Sequence, residues 1–233
     1  MKIALLGYGK MGKVIERIAL ERGHEIVLRK SSTSNYEGLS NADVAIDFSV
    51  PDSAVCNISE CFNTNIPVIC GTTGWLEHYD EMISLCNAKN GGFIYGSNFS
   101  LGVNVFFELN NYLAKIMSNL EQYKVSMEEI HHTQKLDAPS GTAISLANGI
   151  IENSDYTGWT LENNEQTKQI HIDAKRIENI PGTHSVFYDS EVDQIEIKHT
   201  AHNREGFALG AVIAAEWLKD KKGVFTMKDV LNF

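Results

Sequence analysis

Cysteine, proline and long apolar runs are all scarce in this 233-residue chain. The four cysteines, Cys56, Cys61, Cys70 and Cys86, show neither CxxC spacing nor closely spaced pairs, which argues against a disulfide framework. They are expected to be reduced packing residues. No apolar run approaches the roughly 20 residues that a membrane-spanning helix needs. Met1 leads directly into apolar Ile3–Leu6, so no secretory leader is expected and a cytoplasmic location is. No run of Lys and Arg relieves the formal net charge of −10, which argues against nucleic acid. An anionic ligand would therefore need a locally basic pocket within a repulsive overall field.

What remains is ordinary globular material, 43% apolar and 21% charged, enough for one large domain or two modest ones. Residues 2–6 read as a buried strand. The next stretch, from about Gly12 to Arg22, carries Val14, Ile15, Ile18 and Ala19 on one helical face and ends at Gly23. Strand-like runs follow at 25–30, 43–49, 66–74 and 92–100, with helical stretches around Ser53–Phe62 and Glu77–Lys89. This alternation predicts a doubly wound parallel sheet of the Rossmann type. Between Arg29 and Asp43 the usual helix is weak or absent, and 31–35 reads as a polar loop. After about Ser100 the rhythm changes. Val105, Leu109, Tyr112, Leu113 and Ile116 form a helical stripe, then come a strand at 123–130, a helix after Pro139 and three alternating runs at 170–178, 184–189 and 194–200. That pattern predicts an α+β second domain with a mixed sheet and antiparallel character. The last helix, 205–219, is expected to return to the first sheet. The expected domains are 1–100 with 205–233 for a dinucleotide, and 101–204 for substrate and oligomerisation.

Gly7, Gly9 and Gly12 fit G-x-G-x-x-G directly after a strand and opening a helix. The spacing suits a tight turn, a close backbone approach to pyrophosphate, and close packing of helix on strand. Gly7, Tyr8, Gly9, Lys10, Met11 and Gly12 are thus candidate cofactor residues. The second strand ends in Arg29-Lys30 where an NAD site usually carries an acid, so these cations are expected to pair with a 2′-phosphate, favouring NADPH over NADH. Gly71-Thr72-Thr73-Gly74 and Gly96-Ser97-Asn98-Phe99 follow later strands of the same sheet, where such folds bind ligand; Gly71 to Thr73 and Gly96 to Phe99 join the candidates.

The segment from Glu129 to Ala143, EIHHTQKLDAPSGTA, places two imidazoles, a lysine and a Pro-Ser-Gly-Thr helix start within fifteen residues. His131 and His132 end a strand, so alternation should turn them to different surroundings. An imidazole can exchange a proton near neutrality, and Lys135 adds a cation or donor. Pro139 suits a first helical turn. Ser140, Gly141 and Thr142 then offer hydroxyls and backbone N–H groups at the positive end of a helix, a carboxylate or phosphate site. No H-x-x-x-H or H-E-x-x-H occurs, so no metal is expected, and the lack of G-x-S-x-G disfavours a serine hydrolase. The residues themselves leave open another small NAD(P)-dependent dehydrogenase, or a nucleotide sensor without turnover.

GYGKMG at the start, GTTG at 71–74, NFSLGVN at 98–104, EIHHTQKLDAPSGTA at 129–143, IPGTHSVFY at 180–188 and the segment 197–218 resemble the 4-hydroxy-tetrahydrodipicolinate (dihydrodipicolinate) reductase family. The resemblance spans essentially the whole chain. It implies a Rossmann domain followed by a mixed-sheet domain through which tetramers form, and hydride transfer from NADPH or NADH to a cyclic dicarboxylate of lysine and diaminopimelate biosynthesis. It further implies that His131 is the proton donor/acceptor and Lys135 the proton donor, while His132, Gly141 and Thr142 bind substrate carboxylate. Three features depart from the family pattern: the wholly basic Arg29-Lys30, a short segment between the second and third strands, and HHTQK where the family reads HHRHK-like.

Overall fold

The computed structural model describes residues 1–162, 168–203 and 205–233. The chain divides into two compact units, Met1–Leu101 with Glu205–Phe233, and Gly102–Arg204.

The first unit alternates as β1 (Lys2–Leu6), α1 (Lys10–Glu21), β2 (Glu25–Lys30), β3 (Val44–Asp47), α2 (Pro51–Asn63), β4 (Val68–Cys70), α3 (Tyr79–Ala88) and β5 (Gly92–Tyr95). Between β2 and β3 the crossover is only a 3-10 turn, Leu39–Asn41. The six-stranded sheet also takes the late β11 (Gly223–Phe225) and runs β11-β5-β4-β3-β1-β2, with every pairing parallel. Strand alternation divides the side chains between two faces. Ile3, Leu5 and Ile46 pack with Ile15 and Ile18 on one side; Ala4, Leu6 and Ala45 pack with Ile58, Phe62 and Met82 on the other. Burial of each large apolar side chain contributes roughly 1.5–3 kcal/mol, so both faces must be covered, and continuous apolar strands follow from that. The helix α6 (Glu205–Leu218) covers the first face through Ala208, Ala211, Ala215 and Leu218, and a short C-terminal helix, α7 (Met227–Leu231), joins it through Met227. Neither β11 nor α7 stood out in the sequence, because each is too short to show a period.

The second unit holds α4 (Leu101–Met117), β6 (Lys124–His131), α5 (Gly141–Ile151), β7 (Gly158–Thr160), β8 (Gln169–Arg176), β9 (Gly182–Asp189) and β10 (Gln194–Ala201). Its sheet is ordered β10-β9-β6-β8-β7. Antiparallel pairing joins β10 to β9 and β9 to β6, whereas β6, β8 and β7 run parallel. Both helices lie on one face, where Phe106, Met117, Leu146 and Ile150 meet Met127, Ile170, Ile172 and Val186. The stripe read from the sequence does mark a helix, and most of it is the exposed side. Val105, Leu109, Tyr112 and Ile116 are exposed on α4, Leu113 is half-buried against the core, and Phe106, Ala114 and Met117 pack into it; Val103 and Asn110 are also buried. A helix with apolar residues on two faces does not reveal which one its sheet will choose.

Candidate active site

The glycine turn joins β1 to α1 at the carboxyl edge of the parallel sheet. Gly7 has φ of 101°, and a Cβ there would come within 2.1 Å of the Phe48 carbonyl oxygen. Only glycine suits that position. Its N–H donates to the Lys30 carbonyl at 3.0 Å, tying the turn to the end of β2. Gly9 precedes α1, and a Cβ on it would meet nothing within 4 Å. That open ground before a helix N-terminus fits a pyrophosphate. Lys10 is exposed, Met11 half-buried and Gly12 buried in the first turn of α1.

The phenol of Tyr8 donates to Glu16, and the Arg29 Nε donates to the same carboxylate at 2.7 Å. The Lys30 ammonium sits 4.8 Å from the centre of the Tyr36 ring. Both cations assigned to a 2′-phosphate therefore already have neighbours that the linear sequence did not indicate.

At the ends of β3 and β4 a buried carboxylate organises two loops. Asp47 is fully buried and accepts from Ser49 Oγ at 2.9 Å, Asn57 Nδ2 at 2.7 Å and Thr72 Oγ1 at 2.6 Å. Burial pushes its pKa up, and these donors pull against the rise. Phe48 fills the space beside it. A Cβ on Gly71 would fall 2.3 Å from its ring, and the Phe99 ring lies 5.8 Å away. Two expectations change here. The Thr72 hydroxyl is turned inward to Asp47, and the Phe99 side chain belongs to the core. Thr73, Gly96 and Ser97 keep exposed or half-exposed positions, while Asn98 is buried, its side chain accepting from the Ser100 N–H at 2.9 Å.

In the second unit, period-2 alternation assembles the chemistry. The inner face of β6 runs Val125, Met127, Glu129, His131, apolar at one end and polar at the other. Register places His131 opposite Arg176 of β8, and Glu129 opposite His184 of β9. Glu129 is fully buried, and both its oxygens accept from the Ser140 N–H, at 3.1 and 3.0 Å. Arg176 Nη2 donates to Glu129 at 3.1 Å and also to the Asp137 carbonyl at 2.5 Å, while its Nε donates to the Lys135 carbonyl at 3.3 Å. One guanidinium thus holds both the strand carboxylate and the loop that carries Lys135. The Lys135 ammonium donates to both Asp137 oxygens, at 2.9 and 2.8 Å.

Ser140 caps α5, accepting from the Ala143 N–H at 3.2 Å, with its hydroxyl 3.1 Å from His184 Nε2. Ser140 is therefore buried and occupied as a cap rather than turned to a ligand, and Pro139 precedes the cap instead of opening the helix. Gly141 is exposed and Thr142 half-exposed at the start of α5. The paired histidines diverge as alternation requires. His131 is buried, its ring 5.0 Å from that of His184. His132 lines a cavity of about 440 Å³ with Thr133, Gln134, Glu178, Asn179, Ile180, Pro181 and Asn203. A larger cavity, about 790 Å³, lies at the opposite ends of these strands around Lys124, Gln169 and Tyr188, and holds none of the predicted site residues.

Burial lowers the His131 pKa to about 4, helped by His184, Lys135 and Arg176 and opposed by Glu129. For Glu129 burial acts upward, but hydrogen bonds from His184 and Ser140 together with the charge of His131 hold it down to about 2. Glu129, His131 and His184 bring potential ligand atoms within 4.8 Å of one another, a grouping without any local sequence spacing because His184 comes from another strand. Both Glu129 oxygens accept from the Ser140 N–H and Arg176 pairs with the same carboxylate, while His131 Nδ1 stands 3.5 Å from it.

Residues 1–99 match the family described as dihydrodipicolinate reductase, N-terminus, and residues 102–231 match its C-terminus. A protein of Christiangramia forsetii named 4-hydroxy-tetrahydrodipicolinate reductase is 57% identical over 100% of this chain and 98% of its own length. The chain belongs to the dihydrodipicolinate reductase family. A like-named protein of Thermosipho africanus is 34% identical over 100% of this chain and 98% of its own. Among solved structures, a dipicolinate-bound dihydrodipicolinate reductase from Paenisporosarcina sp. TG-14 shares the fold, with a TM-score of 0.78 at 21% identity, covering 97% of each chain.

A reductase family with a Rossmann-type sheet implies a nicotinamide cofactor. Sequence reasoning missed Glu16, Asp47 and Phe48 around the glycine turn and its neighbouring loops in the first unit, and Glu129, Asp137, Arg176 and His184 around the motif in the second. Glu129 and Asp137 lay within the motif but carried no assigned role. Arg176 and His184 had a usable signal: Arg176 is the polar end of β8 after Ile170, Ile172 and Ala174, and His184 is the one ionisable imidazole between Gly182 and Val186 on the inner face of β9.

Proposed function

We propose that this chain reduces 4-hydroxy-tetrahydrodipicolinate, by way of dihydrodipicolinate, to tetrahydrodipicolinate in lysine and diaminopimelate biosynthesis, with NADPH preferred over NADH. The observation that carries this reading is the convergence of His131, the Lys135 loop and the α5 start on one anchor, Glu129–Arg176. Sequence identity across full length supports the same substrate.

When bound, a reduced nicotinamide supplies hydride. Gly7 to Gly12 would hold its dinucleotide, with Gly71 to Thr73 and Gly96 to Phe99 bordering it. The ring that receives hydride gains carbanion or enamine character, which a positioned proton donor must quench. Lys135 is that donor, an ammonium held near the motif by Asp137. Burial keeps His131 neutral near pH 7, and the negative charge of a bound dicarboxylate raises its basicity, making it a better proton acceptor and relay. Gly141 and Thr142 meet a carboxylate at the positive end of α5, with His132 beside it. Because these donors are fixed before the ligand arrives, little reorganisation is needed as charge develops.

We further propose a homotetramer built through the second unit and a cytoplasmic setting. The outward Val105, Leu109, Tyr112 and Ile116 of α4 support a covered surface on that unit. Among the described residues no helix is long and apolar enough to cross a membrane. The deciding experiment mixes the purified protein with NADPH and freshly made product of aspartate semialdehyde–pyruvate condensation. Loss of nicotinamide absorbance that requires both components is the expected outcome; an unchanged signal sinks the proposal.

A further inference from the structure

In a Rossmann sheet the adenosine ribose lies between the glycine turn and the end of β2, where an acid takes a 2′-hydroxyl and an arginine takes a 2′-phosphate. The β2 end of this chain has no acid, only Arg29 and Lys30. The structure supplies one from α1. Glu16 sits in the second turn of that helix, and helical side chains lean toward the N-terminus, so its carboxylate points back to the turn. One oxygen accepts from the Tyr8 phenol, within the turn itself. The other accepts from Arg29 Nε at 2.7 Å and from Arg29 Nη2. The Glu16 side chain is only 14% exposed, whereas Arg29 is 43% exposed.

Resting on the nicotinamide reading above, we propose that Glu16 is a specificity-determining residue, setting the balance between NADH and NADPH. The carboxylate offers an acceptor to a ribose 2′-hydroxyl. It also offsets the Arg29 charge and repels a 2′-phosphate brought to the same guanidinium. Arg29 alone would favour the phosphate strongly; Arg29 beside Glu16 forms a site for either dinucleotide. The contact with Arg29, followed by that with Tyr8, lowers the Glu16 pKa, so the carboxylate is ionised at neutral pH.

The test is fluorescence titration of the intact protein with NADPH and with NADH, for wild type, Glu16→Gln and Glu16→Ala. No substrate is needed. Loss of a charged hydrogen-bond partner for one ligand and of a repulsion for the other is expected to move the affinity ratio about tenfold toward NADPH. Both variants should still melt cooperatively, and Glu16→Gln keeps the shape of a side chain that is only 14% exposed. A ratio within about threefold of wild type in both variants, or a move toward NADH, overturns the proposal, because one charged contact is worth more than that. If the wild type binds neither dinucleotide, the cofactor reading fails and takes this inference with it. Binding of both with an unmoved ratio defeats the role of Glu16 alone.

Discussion

The Nδ1 of His131 stands 3.5 Å from a carboxylate oxygen of Glu129, two residues earlier on the same face of β6. This pair sets how the fold answers to acid. His131 falls from its ordinary 6.5 to about 4 in the folded chain, so between those values the unfolded chain binds the extra proton. Stability is therefore complete above about pH 6.5 and declines as pH drops toward 4. Glu129, ordinarily 4.5 and held to about 2, adds a further loss as pH falls from 4.5. A melting temperature followed from pH 7 to pH 4 should fall, and His131→Gln should make that slope shallower. Some slope remains, because burial lowers His199 in the same direction. Parallel curves for wild type and variant would show that His131 titrates normally.

Arg176 ties Glu129 to the carbonyls of Lys135 and Asp137. Arg176→Met leaves a buried carboxylate with one partner fewer and is expected to cost about 3 kcal/mol in urea denaturation. Turnover should fall together with stability, since the Lys135 loop loses its clamp. A cost below about 1 kcal/mol would place the bond among ordinary surface pairs.

Lys135→Ala should lower kcat by about 100-fold or more, as for loss of a proton-transfer or charge-stabilising group. Steady-state kinetics at saturating cofactor measure this. Near-normal turnover removes Lys135 from the mechanism.

Asp47 holds Ser49 and Thr72, and through them the loops after β3 and β4. Asp47→Asn turns an amide donor toward hydroxyls that now donate. Dinucleotide affinity is expected to weaken about tenfold, the size of one lost hydrogen bond to a charged group. Fluorescence titration reads it, and an unchanged Kd would separate the loops from cofactor binding.

Arg29→Ala should weaken NADPH more than NADH, by about tenfold in relative Kd, because a guanidinium meets a phosphate with charge-assisted bonds. Equal losses for both dinucleotides would mean that Arg29 supports only the Tyr8–Glu16 contact.

The apolar runs around Ile3–Leu6 and 43–49, with the glycine turn between strand and helix, made the parallel sheet legible because each signal lies within a few residues. The same holds for the split between His131 and His132, which needs only strand alternation. The α4 stripe was visible as a helix, but its burial was not, since Val105 and Phe106 are equally apolar and only the sheet beneath decides between them.

Local order along the chain determined the strand and helix types, the glycine turn and the segment at 129–143 that brings two histidines, a lysine and a helix start together. Tertiary structure alone decided which partners those residues meet. Arg176 reaches Glu129 across 47 positions, His184 reaches Ser140 across 44, and Glu16 reaches Arg29 across 13. Such contacts depend on strand register and on which helix face packs inward. Both are settled by the burial of the whole core, not by any neighbouring residues, so the charges that tune this site become visible only once the chain has folded.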